Sequence, residues 1–256
     1  MSLVLSLFLA AASATTAIPP SDPIAQAIHS INADSRITSI RPSALPGIKE
    51  VIADGTVVYV SNDGRYLMHG TLLDMQRKVN LTDLAGAVIR KDALDKIPNS
   101  QRIVFAPVGK PKYRVTVFTD VSCHFCQELH KHLSEYLAKG VEIDYVAYPR
   151  EGLESEAYPQ MVAVWCSKDR KDAFNKAIAG QPVTVSTCQA PVMAQYKIGE
   201  SLGINGTPAV FSDSGKQLGG LISADELVET LDSEGGASNA PAPIASAAAV
   251  SVKDAP

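Results

Sequence analysis

The chain has 256 residues, a formal net charge of −4, 20% charged residues and 46% hydrophobic residues. That length admits two domains, and the acidic balance offers no electrostatic footprint for nucleic acid. The apolar run from Met1 to Ala12 is about half of the ~20 residues a membrane-spanning helix needs. It ends in the small-residue sites Ala12-Ser13-Ala14 and Thr15-Thr16-Ala17, which a signal peptidase could cut, although no Lys or Arg precedes it. Residues 1–17 are therefore read as an export signal.

From Asp22 to Ala33 the spacing of Ile24, Ala27, Ile28 and Ile31 predicts a short helix with one apolar face. A strand-and-turn region follows, with β-branched runs at Ile37–Ile40, Ile48–Ile52 and Thr56–Val60. The turn residues Ser61-Asn62-Asp63-Gly64 join the last of these to Arg65–Met68 as a hairpin. This unit, residues 22–79, is close to the size at which a core alone gives marginal stability, and it has no cysteine to staple it. A small sheet with open edges is expected to pair with a second copy, so the unit is read as a dimerisation domain. Residues 80–98 carry capping groups at Asn80 and Asp83 and stop at Ile97-Pro98, which predicts a linker helix.

From residue 99 the pattern becomes βαβ. Arg102–Ala106 and Arg114–Phe118 are strand-like and Gln127–Lys139 is helical. Val141–Val146 reads as a parallel strand, with helical stretches at Leu153–Gly180 and Pro191–Leu202. A hairpin across Asp213-Ser214-Gly215 leads to a last helix opened by the capping box Ser223-Ala224-Asp225-Glu226. This order, with Cys123-His124-Phe125-Cys126 at the start of the first helix, is thioredoxin-like over residues 99–232. The stretch between Val146 and Pro208 exceeds a simple crossover and predicts an inserted helical subdomain. Residues 233–256, rich in Ala, Ser, Pro and Gly, are read as a disordered tail. The fold class is α+β and α/β: a small β-rich domain, a linker helix and a thioredoxin fold.

Cysteines three apart at a helix start lie on one face, close enough to bond without backbone movement. Cys123, the more N-terminal, falls among unpaired backbone N–H groups that favour its thiolate, the attacking species in disulfide exchange. The second pair, Cys166 and Cys188, would close a loop of about 23 residues, contributing roughly 3 kcal/mol on the chain-entropy model. A four-cysteine zinc site normally needs two closely spaced pairs, and only one is present, so no metal is expected. The first pair is read as the working dithiol and the second as a structural bridge.

Several segments together resemble the DsbC/DsbG family of periplasmic disulfide isomerases, nearly end to end between about residues 24 and 232. They are Val117–Cys126, Tyr148-Pro149-Arg150, Trp165–Asp169, Cys188 and Leu202–Ala209. The resemblance implies a homodimer through the first domain and a thioredoxin-fold catalytic domain. It assigns Cys123 as attacker, Cys126 as resolving cysteine, Cys166–Cys188 as the structural disulfide and Thr207-Pro208 as a cis-proline loop. That assignment overrides the general statistics, by which only about 5–6% of X-Pro bonds are cis. A cis bond there would turn Thr207 toward Cys123 and offer amide groups to an extended substrate strand. It further implies isomerisation of wrong disulfides in misfolded exported proteins. No cofactor is implied, and the pair would be kept reduced by the membrane reductase DsbD.

Two departures stand out. His124-Phe125 occupies the place where the best-known members carry Gly-Tyr, and a cationic or dipolar group there would favour the thiolate and make the pair more oxidising. Thioredoxins bury an acid in the strand before the dithiol, whereas Val115, Thr116, Val117 and Phe118 supply none. The group that handles the Cys126 proton is therefore not visible in the sequence. Thr207, Pro208, His124 and Phe125 are the expected substrate-binding residues. His130 and His132 are read as solvent-facing beside Glu128 and Glu135, and Trp165 as core packing. The competing functions are a disulfide oxidase of the DsbA type and a non-enzymatic periplasmic chaperone that holds unfolded chains in a dimer cleft.

Overall fold

The computed structural model describes residues 18–19, 21–184 and 188–237. The expected export signal at residues 1–17 and the tail from residue 238 onward lie outside the described residues. The chain divides into two compact units, residues 1–82 and 83–256. Among the described residues no helix is long and apolar enough to cross a membrane.

The first unit opens with α1, Pro23–Ile31, whose start is fixed by Asp22: its carboxylate accepts from the N–H groups of Ile24 at 2.8 Å and Ala25 at 3.2 Å. Four antiparallel strands follow in spatial order: β1 Ile37–Pro42, β2 Ile48–Ala53, β3 Thr56–Ser61 and β4 Leu67–Met68. Asp54 and Gly55 both take positive φ between β2 and β3, as a two-residue hairpin turn of right-handed twist requires. Ile24 and Ile28 of α1 pack on Val51 and Val60 of the sheet. Ile31, expected on the same face, is exposed, because the helix ends there and the chain turns away. At the far edge Leu67 and Met68 of β4 are exposed apolar residues. A short ladder of β5 (Leu73–Asp74) and β6 (Val79–Asn80) ends the unit. The Thr82 hydroxyl bonds Tyr59 Oη at 2.6 Å and accepts from Leu72 N at 2.8 Å.

The second unit is built on a five-stranded sheet, β11-β10-β8-β9-β7, in which only β8 and β9 are parallel. Its elements run α2 (Leu81–Asp95), β7 (Ile103–Phe105), β8 (Tyr113–Thr119), α3 (His124–Lys131), α4 (Leu133–Ala138) and β9 (Val141–Ala147). Then come α5 (Ala157–Cys166), α6 (Arg170–Ile178), α7 (Val192–Ser201), β10 (Ala209–Ser212), β11 (Gln217–Gly219) and α8 (Ala224–Ala237). Helices cover both faces, so every residue of β9 is buried. Side-chain alternation sends Val115, Val117, Ile143 and Tyr145 into one core with Leu129, Trp165 and Phe174. Phe118, Val146 and Tyr148 point into the other with Ile204 and Phe211. Trp165 is fully buried, with Nε1 donating to Gln101 O at 2.8 Å.

From Asp83 on, α2 belongs to this unit rather than standing free. Leu94 and Ile97 are part of the second core. Arg102, itself nearly buried, donates to Leu94 O at 2.6 Å, Ile97 O at 3.1 Å, Thr116 Oγ1 at 3.0 Å and Asp144 Oδ2 at 3.2 Å. One guanidinium thus satisfies carbonyls at the helix end and anchors them to two strands. Gly215, in the β10–β11 turn, has φ +83°, and a Cβ there would sit 2.1 Å from Ala87 O. Its own carbonyl accepts from Arg90 Nε at 2.7 Å. At the other end α8 continues past Ser233 to Ala237. Glu234 accepts from Ser214 Oγ at 3.1 Å and lies 3.7 Å from Lys216 Nζ, which holds the helix to the hairpin beyond the point where composition alone would end it.

Cys166 and Cys188 are bonded, with Cα atoms 5.5 Å apart and a sequence separation of 22. The bridge ties the end of α5 to the segment before α7. Replacing both cysteines with Ala should cost about 3 kcal/mol, measured by denaturant unfolding. Gly215→Ala adds a left-handed residue and a backbone clash against α2, for an expected loss of roughly 2–4 kcal/mol in the same measurement.

Candidate active site

The site is a turn held by one buried carboxylate. Asp120, fully buried after β8, accepts through Oδ1 from Ser122 N and Ser122 Oγ, both at 2.8 Å. Through Oδ2 it accepts from Arg150 N at 3.0 Å and Arg150 Nη1 at 3.2 Å. Its carbonyl accepts from Cys123 N at 3.0 Å, which closes the turn one residue before α3 begins. Cys123 is the N-cap of α3, in extended conformation, and Cys126 lies in the first turn. Both thiols are free and buried, at 4% and 1% exposure. Thr207-Pro208 is a cis peptide opposite the dithiol, and Thr207 O lies 3.1 Å from Cys123 Sγ.

The two sulfurs differ sharply in acidity. The Cys123 thiol is lowered from 9.0 to about 5. The largest cause is the hydrogen bond it receives from the Cys126 thiol. Burial opposes this, while the Thr207 side chain and the N–H groups of Cys126 and Phe125 reinforce it. Cys126 is raised, first by burial and then by its bond to the Cys123 thiolate, with Thr119 and the Asp120 N–H opposing. The contact with Thr207 O suits the Cys123 thiol only, since a carbonyl oxygen repels an anion, and the donors around the sulfur outweigh it. The hydroxyls of Thr119 and Thr207 are buried without a hydrogen-bond partner. Each therefore has a proton available for the neighbouring sulfur when it ionises.

His124 is exposed on the first residue of α3, its ring edge-on to Phe125 with centroids 5.6 Å apart, and Phe125 is 57% exposed. The expected site residues thus separate into a buried group, Cys123, Cys126 and Pro208, the half-buried Thr207, and an exposed pair, His124 and Phe125. Cys166 and Cys188 form a bridge elsewhere in the unit.

His132 is exposed, with Nδ1 2.7 Å from Glu135 Oε1. His130 is not solvent-facing as its sequence neighbours implied. It turns inward, Nδ1 3.1 Å from Tyr145 Oη and Nε2 2.9 Å from Asn175 Oδ1, among Phe105, Tyr145 and Phe174. Partners on β9 and α6, far away in sequence, override the local charge pattern. The roles of Asp120 and Arg150 were also missed. The signal available was an Asp two residues before a Ser at a turn, a side-chain capping pattern. Among the described residues no group of three His, Cys, Asp or Glu side chains is arranged to hold a metal.

Because the folded thiol of Cys123 is more acidic than an unfolded one, ionisation stabilises the reduced fold above the ordinary thiol range. That contribution is lost as pH falls through about 5. Iodoacetamide labelling of Cys123 should therefore show a midpoint near pH 5. The melting temperature of the reduced form relative to the oxidised form should fall on acidification through the same range.

Residues 10–83 match the model of the disulfide bond isomerase protein N-terminal domain, and residues 99–234 match that of a thioredoxin-like domain. The thiol:disulfide interchange protein DsbC of Dickeya dadantii is 35% identical over 195 residues, covering 75% of this chain and 79% of that protein. DsbC of Escherichia coli is 35% identical over 198 residues, 76% of this chain and 81% of its own. DsbC of Haemophilus influenzae is 34% identical over 195 residues, 75% and 82% respectively. With both domain matches in their expected order and an asymmetric dithiol at a helix start, the chain belongs to the DsbC family of thiol:disulfide interchange proteins and is a disulfide isomerase.

Proposed function

We propose that this isomerase acts in the periplasm, as a homodimer, on misfolded exported proteins carrying wrong disulfides, with Cys123 as the attacking and Cys126 as the resolving cysteine. The single observation that supports this most is the asymmetry of the pair: one sulfur ionises near pH 5 while the other, buried behind it, holds its proton. Cys123 Sγ⁻ attacks one sulfur of a substrate disulfide, forming a mixed disulfide and releasing the other sulfur as thiolate. A different substrate thiolate then attacks the substrate sulfur of the mixed disulfide and frees Cys123, so the bond has moved with no net oxidation. When no such thiol arrives, Cys126 loses its proton and attacks Cys123 Sγ. The substrate leaves reduced, and the Cys123–Cys126 disulfide forms. The membrane reductase DsbD would return the two electrons.

The exposed Phe125 ring and His124 offer a contact surface beside the attacking sulfur, and Thr207-Pro208 flanks it on the other side. Export would follow from residues 1–17. The exposed edge of the first unit's sheet, at Leu67 and Met68, supports pairing of two copies there. A second reading, an oxidase, draws on the same low pKa, because stabilising the thiolate stabilises the reduced pair and makes its disulfide a stronger oxidant. The redox state of Cys123 and Cys126 in freshly extracted periplasm decides between them: reduced supports the isomerase, oxidised the oxidase.

Cys123→Ser should abolish both reduction and isomerisation, whereas Cys126→Ser should accumulate mixed disulfides with substrate. Trapping by the Cys123 variant instead would reverse the roles. A chain beginning at Leu81 retains Leu94 and Ile97 in the second core, which a cut at Asn99 would remove. It should sediment as a monomer that reduces small disulfides but rearranges scrambled proteins poorly. Full isomerase activity in that monomer would overturn the role given to the first unit.

A further inference from the structure

The five-stranded sheet has two edges, and the chain treats them differently. At one edge β11 is three residues long, ends in Gly219 at φ +115° and pairs with β10 through a register shift, devices that blunt an edge. At the other edge, among the described residues, β7 pairs with β9 alone. Its register is unbroken, from Ile103 opposite Tyr145 to Phe105 opposite Ile143. Its sequence, Ile103-Val104-Phe105, is apolar and β-favouring, with no Pro, Gly or charged side chain to keep a further strand from pairing. A strand bonded on one side only keeps a row of backbone N–H and C=O groups on the other.

That open edge forms one wall of a groove of about 790 Å³. Arg102, Val104 and Ala106 mark its length, about 17 Å along an extended chain. The opposite wall is the turn from α5 to α6, Ser167 to Lys171. Arg170 is fixed there, donating through Nε to Trp165 O at 2.8 Å and through Nη1 to Ser100 O at 2.6 Å. Lys168 and Lys171 are exposed, the latter with Nζ 5.6 Å from the centre of the Phe105 ring. The acids beside them are engaged: Asp169 caps α6 by accepting from Asp172 N at 3.0 Å, and Asp172 pairs with Lys176 at 2.6 Å. Among the described residues, therefore, Lys168 and Lys171 have no carboxylate partner. In a chain of net charge −4 this groove is locally positive. The lysines stand across the groove from β7 and not on it, so they attract an incoming acidic strand without blocking its backbone.

Ile103 and Val117 sit on either side of Tyr145 in the sheet. The start of β7 is therefore two strand spacings, about 10 Å, from β8 near the point where that strand leads to Cys123. We propose that this groove is a second substrate site, which takes an extended, acidic segment of a disulfide-bearing protein as an added strand on β7. Backbone groups of the segment pair with the free side of β7, and its Asp or Glu side chains meet Lys168, Arg170 and Lys171. A bound segment holds its chain beside the dithiol while disulfides elsewhere in it are exchanged, which raises their local concentration. A folded protein has most of its extended segments paired within its own sheets, so the groove favours chains still in need of rearrangement. The inference rests on the reading that misfolded proteins are the substrates, and is independent of which cysteine attacks.

The test uses the full-length protein and a fluorescein-labelled, cysteine-free peptide of eight residues that alternates Glu with Val. Fluorescence anisotropy should show saturable binding that weakens as salt rises. N-methylation of the four central residues removes the N–H groups on both edges of the peptide and keeps its charge, and should weaken binding roughly ten-fold. The doubly substituted Lys168→Glu, Lys171→Glu protein should lose the Glu peptide and gain one that alternates Lys with Val, a swap of preference that a packing defect does not produce. Equal binding of the N-methylated peptide to the wild-type protein, or an unchanged preference in the substituted one, would overturn the site. Joining the Glu peptide to a fluorogenic disulfide peptide through a Gly/Ser linker should lower KM roughly ten-fold and leave kcat within about two-fold. An unchanged KM would overturn the part given to the groove in substrate capture. If neither disulfide peptide is reduced at all, the reading of the dithiol fails, while the anisotropy result still decides the groove.

Discussion

A charge on Cys123 has to persist in a nearly dry site, and the placement of that sulfur at the start of α3 makes it possible. The helix end supplies the N–H groups of Phe125 and Cys126, and Cys126 supplies its thiol proton. These donors overcome the burial of the sulfur, which by itself would raise the pKa. Burial raises Cys126 as well, and one helical turn further in it prevails, with the bond to the Cys123 thiolate raising it further. One structural fact, two sulfurs at different depths of a helix N-terminus, therefore separates an anionic nucleophile from a protonated reserve. Much of the remaining structure keeps that geometry fixed.

Asp120 is central to this. Its carboxylate draws the turn between β8 and α3 together through Ser122 and ties it to Arg150 after β9. The position of Cys123 is thus referenced to both parallel strands. A buried carboxylate is costly unless its oxygens are satisfied, and here each oxygen accepts two bonds. Arg102 does comparable work elsewhere in the same sheet. It gathers the end of α2, Thr116 and Asp144, so the helix that follows the first unit is rigidly part of the second. Burial raises the Asp144 carboxyl while Arg102 draws it back down, the balance expected of a buried ion pair held for geometry more than for net stability.

The dithiol performs two exchanges that make opposite demands on its protons. Attack uses a sulfur already ionised at neutral pH. Resolution uses a sulfur that keeps its proton until the mixed disulfide has formed, and so requires a route for that proton out of the core. The unpartnered hydroxyls of Thr119 and Thr207 fit this alternation, since a hydroxyl can donate to whichever sulfur is anionic and accept from it when it is not. Isomerisation and reduction then differ only in which thiolate reaches the mixed disulfide first.

The local pattern already determined a good deal. The CxxC after a β-branched strand, the period of α1 and the order of strands and helices in the second domain could all be read along the chain. These depend on interactions within one helix turn or one hairpin, which sequence spacing encodes directly. Ile31 departed from the pattern because a helix end can leave a periodic position without a neighbour. Ser233 did so because Glu234 finds its partners on a hairpin twenty residues earlier. Only the tertiary structure decided that Asp120 and Arg150 lock the active-site turn, that Arg102 fastens α2 to the sheet, and that His130 turns inward to Tyr145 and Asn175. Each of these joins residues more than ten positions apart, some more than forty. Side chains so distant become neighbours only when the parallel pairing of β8 with β9 and the packing of α3 on α6 bring them together. The sequence by itself determined that a reactive dithiol sits at a helix start, and three-dimensional packing decided which groups hold its charge and fix the turn that carries it.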